Sequence, residues 1–182
     1  MNTCVVRDEA RTPCAKVSRP RVLLTRARSA GNVAFFHAAD RFYNLVKNGF
    51  YDDCRFFRVV PKFMAQFGIH GDPAVSAAWK DAMLPAERAR VSNTRGRLTF
   101  AQGVLASSRT TQVFISYGDN SRLDKDGFAP FGEVVSSMLI VERIYSEYGE
   151  GPEQSAIQAG GNLFLNHYLP RLSYITSAIV EK

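Results

Sequence analysis

The chain has 182 residues, 46% hydrophobic and 12% aromatic, which is enough apolar material for one compact domain with a core. No stretch approaches 18 consecutive apolar residues and no N-terminal apolar segment resembles a secretory signal, so neither membrane insertion nor secretion is expected. The formal net charge is +6, and residues 1–30 contribute +5 of it through seven basic and two acidic side chains.

The basic N-terminal segment is predicted to be a solvated, poorly ordered arm over residues 1–20, followed by one domain over residues 21–182. A second interpretation is an organelle transit peptide, although Asp8 and Glu9 oppose it. A third is a contact with nucleic acid or another acidic partner, although no aromatic residue precedes Phe35 and no RNA-binding motif is present. We expect a cytoplasmic location, or an organelle if the arm is a transit peptide.

The cysteines and histidines give no pattern typical of a disulfide framework or a metal site. Cys4, Cys14 and Cys54 are few and scattered, and no CxxC pair or Cys/His spacing indicates zinc, so free thiols are expected. His70 and Asp72 lie two residues apart in a predicted turn, but no third ligand is apparent. We therefore expect neither a metal nor a cofactor.

The first elements predicted after the arm are a short strand at residues 22–26 and a helix at residues 38–48. Apolar side chains recur at helical spacing in this helix: Phe42, Leu45 and Val46. Gly49 follows and is expected to end the helix as its C-terminal cap.

Residues 56–72, FFRVVPKFMAQFGIHGD, set one arginine among apolar residues. Pro61 and Lys62 separate two apolar runs, at residues 55–60 and 63–69. This pattern predicts a strand, a tight turn and a second strand.

Alternation along the two predicted strands places their side chains on defined faces. Arg58 and Val60 share one face of the first strand, and Met64 and Gln66 share one face of the second. A cation, a flexible apolar side chain and an amide are therefore expected to lie together.

The remainder of the chain is mostly β in pattern. Residues 73–93 are predicted to form a long loop, and strands are predicted at residues 97–102, 111–117, 131–134 and 174–180. Helices are predicted at residues 136–145 and 162–169, with a loop at 149–161 between them. Many short strands with few helices indicate a mainly β domain. The pattern alone does not decide between a β-sandwich and a closed β-barrel.

Four separated motifs resemble one family in order and spacing. They are FFRVVPKFMAQFG at residues 56–68, GRLTFAQ at 96–102, TTQVFI at 110–115 and LDKDGFAPFGEVV at 123–135. From about residue 38 to residue 148 the chain resembles the cyclophilin-type peptidyl-prolyl isomerases. The resemblance implies a closed eight-stranded antiparallel barrel capped by two helices. Its first strand should lie upstream of Val22, where residues 3–6 are the candidate.

The resemblance assigns catalysis to Arg58. Rotation about a peptide bond destroys amide resonance at a cost of about 18–20 kcal/mol. In the twisted state the prolyl nitrogen becomes a hydrogen-bond acceptor, so a donor placed there binds the transition state selectively. Arginine suits this role because it stays protonated and donates without losing a proton.

The resemblance also assigns substrate-binding residues. An apolar socket for the proline ring is matched by Phe63, Met64, Phe114 and Leu123. A segment that receives the residues before the proline is matched by Ala101, Gln102 and Gly103. Two amide side chains are expected to orient Arg58 or to hold the substrate backbone, and they belong to Gln66 and Gln112. Phe128 stands where the family often has histidine. Taken alone each would be an ordinary core or surface residue, and only their joint occurrence supports a site.

The expected function is a peptidyl-prolyl cis-trans isomerase that assists protein folding as a monomer and acts on proline-containing peptides and proteins. Many cyclophilins have tryptophan where this chain has Arg122, so we expect weak cyclosporin binding. Two alternatives stay open. One is a catalytically weak proline-binding scaffold or chaperone module, and the other is a barrel that carries the basic arm to RNA or another acidic partner.

Overall fold

The computed structural model describes residues 3–8, 21–24 and 37–181, with side chains described for residues 37–180. The strands in these residues are β1 (Thr3–Asp8), β2 (Arg21–Leu24), β3 (Arg58–Val60), β4 (Met64–Phe67), β5 (Arg97–Phe100), β6 (Val113–Ser116), β7 (Pro130–Val134) and β8 (Ile175–Glu181). The helices are α1 (His37–Lys47), α2 (Pro73–Ala78), α3 (Met138–Val141) and α4 (Gln154–Tyr168), with a 3-10 helix at Ser121–Asp126. Across the described part of the chain, none of the helices has the length and apolarity needed to cross a membrane.

The eight described strands form one antiparallel sheet in the order β3-β4-β6-β5-β7-β2-β1-β8. The domain is therefore mainly β, as predicted. The ladder ends at β3 and β8, but backbone hydrogen bonds join the segment just before β3 to Ser173 and to the first residue of β8. Phe56 N donates to Ser173 O at 2.9 Å, and Ile175 N donates to Cys54 O at 3.0 Å.

The first strand coincides with the candidate at residues 3–6. It pairs with β2 through Cys4 opposite Val22 and with β8 through Cys4 opposite Val180. The predicted domain boundary after residue 20 falls beyond this strand, so the sheet includes a segment that the sequence assigns to the arm. Residues 9–20 and 25–36 lie outside the described residues, and so do the predictions made for the rest of the arm.

Helix α1 packs its apolar face on the sheet, as the helical spacing predicts. Phe42 is 1% exposed, and its ring centroid lies 5.1 Å from that of Tyr51 and 5.2 Å from that of Phe131. Gly49, two residues after the last residue of the helix, has a φ of 70°, a conformation that costs little for glycine. The predicted cap is confirmed.

The loop predicted at residues 149–161 is partly wrong, because α4 already begins at Gln154. The helix continues across a kink at Gly161, whose φ is 55°. A Cβ at Gly161 would lie 2.1 Å from the carbonyl oxygen of Gly71, and Asn162 N donates to that same oxygen at 2.8 Å. The backbone is non-helical at Gly161, so the segment after it corresponds to the helix predicted at residues 162–169, and the close approach to Gly71 requires a glycine there.

The long loop predicted at residues 73–93 contains the short helix α2. Asp72 is its N-cap, with Oδ1 accepting from Ala74 N at 2.8 Å, and Pro73 occupies the first turn, where its missing N–H costs nothing. His70 Nδ1 accepts from Asp72 N at 2.9 Å. No group of three or more His, Cys, Asp or Glu side chains within the described residues is arranged to hold a metal ion.

The helix predicted at residues 136–145 is shorter in the structure, where α3 spans only four residues. The apolar residues that suggest a longer helix are still buried, because Met138, Val141 and Ile144 all pack in the core. Ile144 lies beyond the end of α3 and is buried nonetheless.

Cys54 is a free, buried thiol that donates weakly to the carbonyl oxygens of Phe50 and Ile69, each at 3.4 Å. Burial raises the pKa of this thiol, reinforced by Asp53 and Asp52. The prediction of a free thiol is confirmed for Cys54, and the side chains of Cys4 and Cys14 lie outside the described residues.

Candidate active site

A pocket with a volume of about 360 Å³ gathers residues from β3, β4 and β6 and from three loops. All eleven predicted site residues line it: Arg58, Phe63, Met64, Gln66, Ala101, Gln102, Gly103, Gln112, Phe114, Leu123 and Phe128. Three further lining residues are absent from the prediction: Ser108, Thr110 and Gln154.

Strand register brings the central residues of the pocket together. Arg58 on β3 lies opposite Gln66 on β4, which in turn lies opposite Phe114 on β6. Val60 lies opposite Met64, so the two faces that the alternation predicts lie side by side. Because paired residues on neighbouring strands point to the same face, a cation, an amide and an aromatic ring form one row.

Hydrogen bonds hold the guanidinium of Arg58 on two sides. Nη1 donates to Gln66 Oε1 at 3.2 Å, and Gln66 Nε2 donates to Gln112 Oε1 at 2.8 Å. On the other side, Glu150 Oε1 accepts from Nε at 3.0 Å and also from Nη2. A guanidinium has five N–H groups, so two of them, one on each Nη, have no partner among the described residues.

The apolar part of the pocket combines buried and partly exposed rings. Met64 is 1% exposed and Phe114 is 5% exposed. The rings of Phe114 and Phe128 meet edge to face at 5.9 Å between centroids. Phe63 forms the rim, with the guanidinium carbon of Arg58 5.9 Å from its ring centroid and that of Arg122 4.7 Å from it.

Residues 37–159 match the family described as cyclophilin type peptidyl-prolyl cis-trans isomerase/CLD. The chain belongs to this family. The predicted family and enzyme class are therefore confirmed.

Relatives of this cyclophilin are also named peptidyl-prolyl cis-trans isomerases. Peptidyl-prolyl cis-trans isomerase A of Dickeya dadantii is 31% identical over 154 residues, covering 78% of this chain and 80% of the relative. A peptidyl-prolyl cis-trans isomerase of Acinetobacter baylyi is 34% identical over 111 residues, and the match spans 59% of each chain.

The fold of this cyclophilin also matches a solved structure. A cyclophilin type peptidyl-prolyl cis-trans isomerase of Cryptosporidium parvum aligns with a TM-score of 0.66 at 14% sequence identity. The alignment covers 100% of this chain and 98% of that one. At this identity the likeness concerns the fold.

A polar network anchors the wall of the cyclophilin pocket that carries Leu123 and Phe128. Asn93 is fully buried, and its Nδ2 donates to Asp124 Oδ1 at 2.6 Å and to Phe128 O at 2.8 Å. Its Oδ1 accepts from Thr99 Oγ1 at 2.7 Å. Because buried amides are costly unless satisfied, this network fixes the position of the 3-10 helix.

Asp124 makes this wall sensitive to acid. Burial raises the pKa of its carboxyl, but hydrogen bonds from Ser92 and Asn93 outweigh burial and hold the pKa below the ordinary value. The resulting stabilisation is present above the unfolded pKa, about 3.9, and is lost as the pH falls through the lower folded pKa.

We expect the unsubstituted protein, the parent, to have a higher melting temperature than Asp124→Asn at neutral pH, and we expect the difference to shrink below about pH 4. Calorimetry across this range measures it, and a difference independent of pH would contradict the assignment.

A second wall is built from backbone and short side chains. Ala101 N donates to Gln112 O at 2.8 Å, and Gly103 N donates to Ser108 Oγ at 2.7 Å. Gln102 Nε2 donates to Asp126 O at 2.6 Å, while its buried Oε1 has no partner among the described residues.

The fully buried Arg109 anchors the loop of this second wall. Its Nε donates to Ala106 O at 2.9 Å, its Nη2 donates to Pro85 O, and Glu87 lies 3.7 Å from its Nη1. The arginine ties the loop that carries Ser108 and Thr110 to the segment before Glu87. A charged residue type gives no signal of burial in the sequence, so this anchor was not predicted.

Proposed function

We propose that this chain catalyses cis/trans rotation about X-Pro bonds in peptides and folding proteins, with Arg58 as the hydrogen-bond donor. The observation that carries the proposal is the position of the Arg58 guanidinium. Gln66 and Glu150 hold it beside an apolar socket, and two N–H groups have no partner among the described residues.

In the proposed mechanism the proline ring enters the socket formed by the predicted apolar residues. Ala101 to Gly103 and Gln112 receive the residues before the proline, and the socket keeps the ring fixed while the carbonyl of the preceding residue turns. As resonance is lost, the lone pair of the prolyl nitrogen becomes localised, and the nitrogen accepts a hydrogen bond from an N–H of Arg58. The donor binds the twisted state better than either planar state, which lowers the barrier.

We also propose that the sheet closes into the eight-stranded barrel that the family resemblance implies. The support is the set of backbone hydrogen bonds between the segment before β3 and the start of β8, which includes Asp53 N to Ile175 O at 2.7 Å. Amide hydrogen exchange tests this closure. The N–H groups of Asp53, Phe56 and Ile175 should exchange as slowly as those of central strands, and rapid exchange would contradict closure.

The isomerase proposal is tested with an Ala-Pro peptide at low temperature, where uncatalysed exchange takes minutes. A Cryptosporidium parvum relative was crystallised in the presence of the dipeptide Ala-Pro, which makes such peptides the first choice. Acceleration by the intact protein supports the enzyme. Binding without acceleration would identify a proline-binding scaffold instead. A cytoplasmic location and a monomeric state remain predictions.

Arg122 is expected to weaken cyclosporin binding. Its guanidinium lies over the Phe63 ring at the rim, where many cyclophilins present an indole with a flat face and an N–H donor. We expect Arg122→Trp to raise cyclosporin affinity about tenfold, and Arg122→Ala to change it much less. Calorimetric titration measures both, and tight binding by the parent would contradict this prediction.

A further inference from the structure

The segment between α3 and α4 places one carboxylate against the guanidinium of Arg58. Glu150 lies 92 residues from Arg58 in the chain, and its Oε1 accepts from both Nε, at 3.0 Å, and Nη2. Gln66 contacts only Nη1. We propose that Glu150 is a positioning residue for prolyl isomerisation, which fixes the plane of the Arg58 guanidinium so that its remaining N–H groups face the socket. The inference rests on the proposed role of Arg58.

Backbone hydrogen bonds hold the segment that carries Glu150 next to β3. Val59, the residue after Arg58, donates its N–H to Gly149 O at 3.2 Å. Gly149 adopts a φ of 54°, and Gly149 N and Gly151 N donate to Ser146 O and Tyr148 O, each at 2.9 Å. The residues on either side of Glu150 are therefore held in tight turns, and one of them is hydrogen-bonded to β3 beside Arg58.

The exposure of the pair fits positioning better than fold stabilisation. The side chain of Glu150 is 63% exposed and that of Arg58 is 31% exposed. Exposed ion pairs contribute little to the stability of a fold because water screens them. A long arginine side chain nevertheless has many rotamers, and two contacts on Nε and Nη2 restrict the guanidinium before the substrate binds.

Glu150 and Gln66 accept hydrogen bonds from different N–H groups of the Arg58 guanidinium. Glu150 occupies the edge formed by Nε and Nη2, while Gln66 occupies one N–H of Nη1. Loss of Glu150 leaves Gln66 as the one described hydrogen-bond partner of the guanidinium. The group can then rotate about its remaining contact, so fewer encounters with a twisted peptide bond find a correctly placed donor.

The test compares kcat and KM of Glu150→Ala, Glu150→Gln and the parent, from exchange of an Ala-Pro peptide over a range of concentrations. We expect Glu150→Ala to lower kcat about tenfold and to leave KM within about twofold. Glu150→Gln keeps an acceptor oxygen and should recover most of the loss. Glu147→Ala is the control, because Glu147 is an exposed acid of the same segment that does not line the pocket.

A double variant separates this inference from the proposed function. If Glu150 acts through Arg58, then Arg58→Ala with Glu150→Ala is no slower than Arg58→Ala alone. Full activity in Arg58→Ala would overturn the proposed donor itself. A slow Arg58→Ala together with unchanged or raised kcat in Glu150→Ala and Glu150→Gln would overturn the positioning role only. An equal loss from Glu150→Ala in both backgrounds would overturn it as well.

Discussion

Arg58→Ala is expected to slow catalysed rotation of an Ala-Pro bond by about a hundredfold to a thousandfold, which corresponds to about 2.7–4 kcal/mol of transition-state stabilisation. The reason is that the guanidinium contacts the prolyl nitrogen only when the bond is twisted, so its loss affects kcat rather than binding. Peptide affinity should change little, because Phe63, Met64 and Phe114 still form the socket. A coupled assay at low temperature measures the rate.

Two further variants control this experiment. Arg58→Lys keeps the positive charge but loses the planar set of donors, so most of the loss should persist. Arg95→Ala removes an arginine that also pairs with a glutamate, since Arg95 Nη2 lies 2.8 Å from Glu142 Oε1, but Arg95 does not line the pocket. Parent activity is expected for Arg95→Ala. Equal rates in Arg58→Ala and Arg95→Ala would contradict the role of Arg58.

Phe67→Ala is expected to lower the free energy of unfolding by about 3–5 kcal/mol. Phe67 is 1% exposed, and its ring centroid lies 5.3 Å from that of Tyr51 and 5.0 Å from that of Phe56. Truncation loses the burial of the ring and leaves a cavity among these aromatic neighbours. Since domains are stable by about 5–15 kcal/mol, this one change removes a large part of the total. Denaturant unfolding measures it.

Leu163→Ala is the matched control for this prediction. Leu163 is 85% exposed on α4, so removing its side chain should change the free energy of unfolding by no more than about 0.5 kcal/mol. Similar midpoints for Phe67→Ala and Leu163→Ala would show that Phe67 is not part of a tightly packed core.

The hairpin at the centre of the site was predictable because strand alternation leaves few choices. A one-residue slip would move every side chain of β3 or β4 to the opposite face. The register itself was not predicted, because the pattern places Phe63 in the second strand. In the structure Phe63 lies in the turn with Pro61 and Lys62, and this pairs Arg58 with Gln66. The loop residues of the pocket were predicted by another route, since Ala101, Gln102 and Phe128 depend on the order and spacing of the family motifs.

The contacts that sequence reasoning missed join segments far apart in the chain. Glu150 and Gln154 approach the pocket from the segment and helix after α3, and nothing in their local pattern indicates which strand they meet. Asn93 and Arg109 are buried polar residues, whereas residues of these types are mostly exposed. Only the assembled fold supplies the hydrogen-bond partners that make their burial favourable.

The helices show the same difference between local and tertiary signals. Helix α1 was predictable because its apolar spacing and Gly49 agree. Helix α4 was only half predicted. The segment after the non-helical Gly161 matches the helix predicted at residues 162–169, whereas the segment that begins at Gln154 was predicted to be a loop. The carbonyl of Gly71 requires a residue without a Cβ at Gly161, and that requirement comes from tertiary packing.

NMR exchange spectroscopy of one Ala-Pro peptide shows whether Arg58 speeds rotation of a bound prolyl bond. The cis and trans signals are compared with the intact protein and with Arg58→Ala, at concentrations that give equal peptide saturation. We expect fast exchange with the intact protein and exchange slower by about a hundredfold or more with the variant. Equal exchange rates at equal saturation would contradict it.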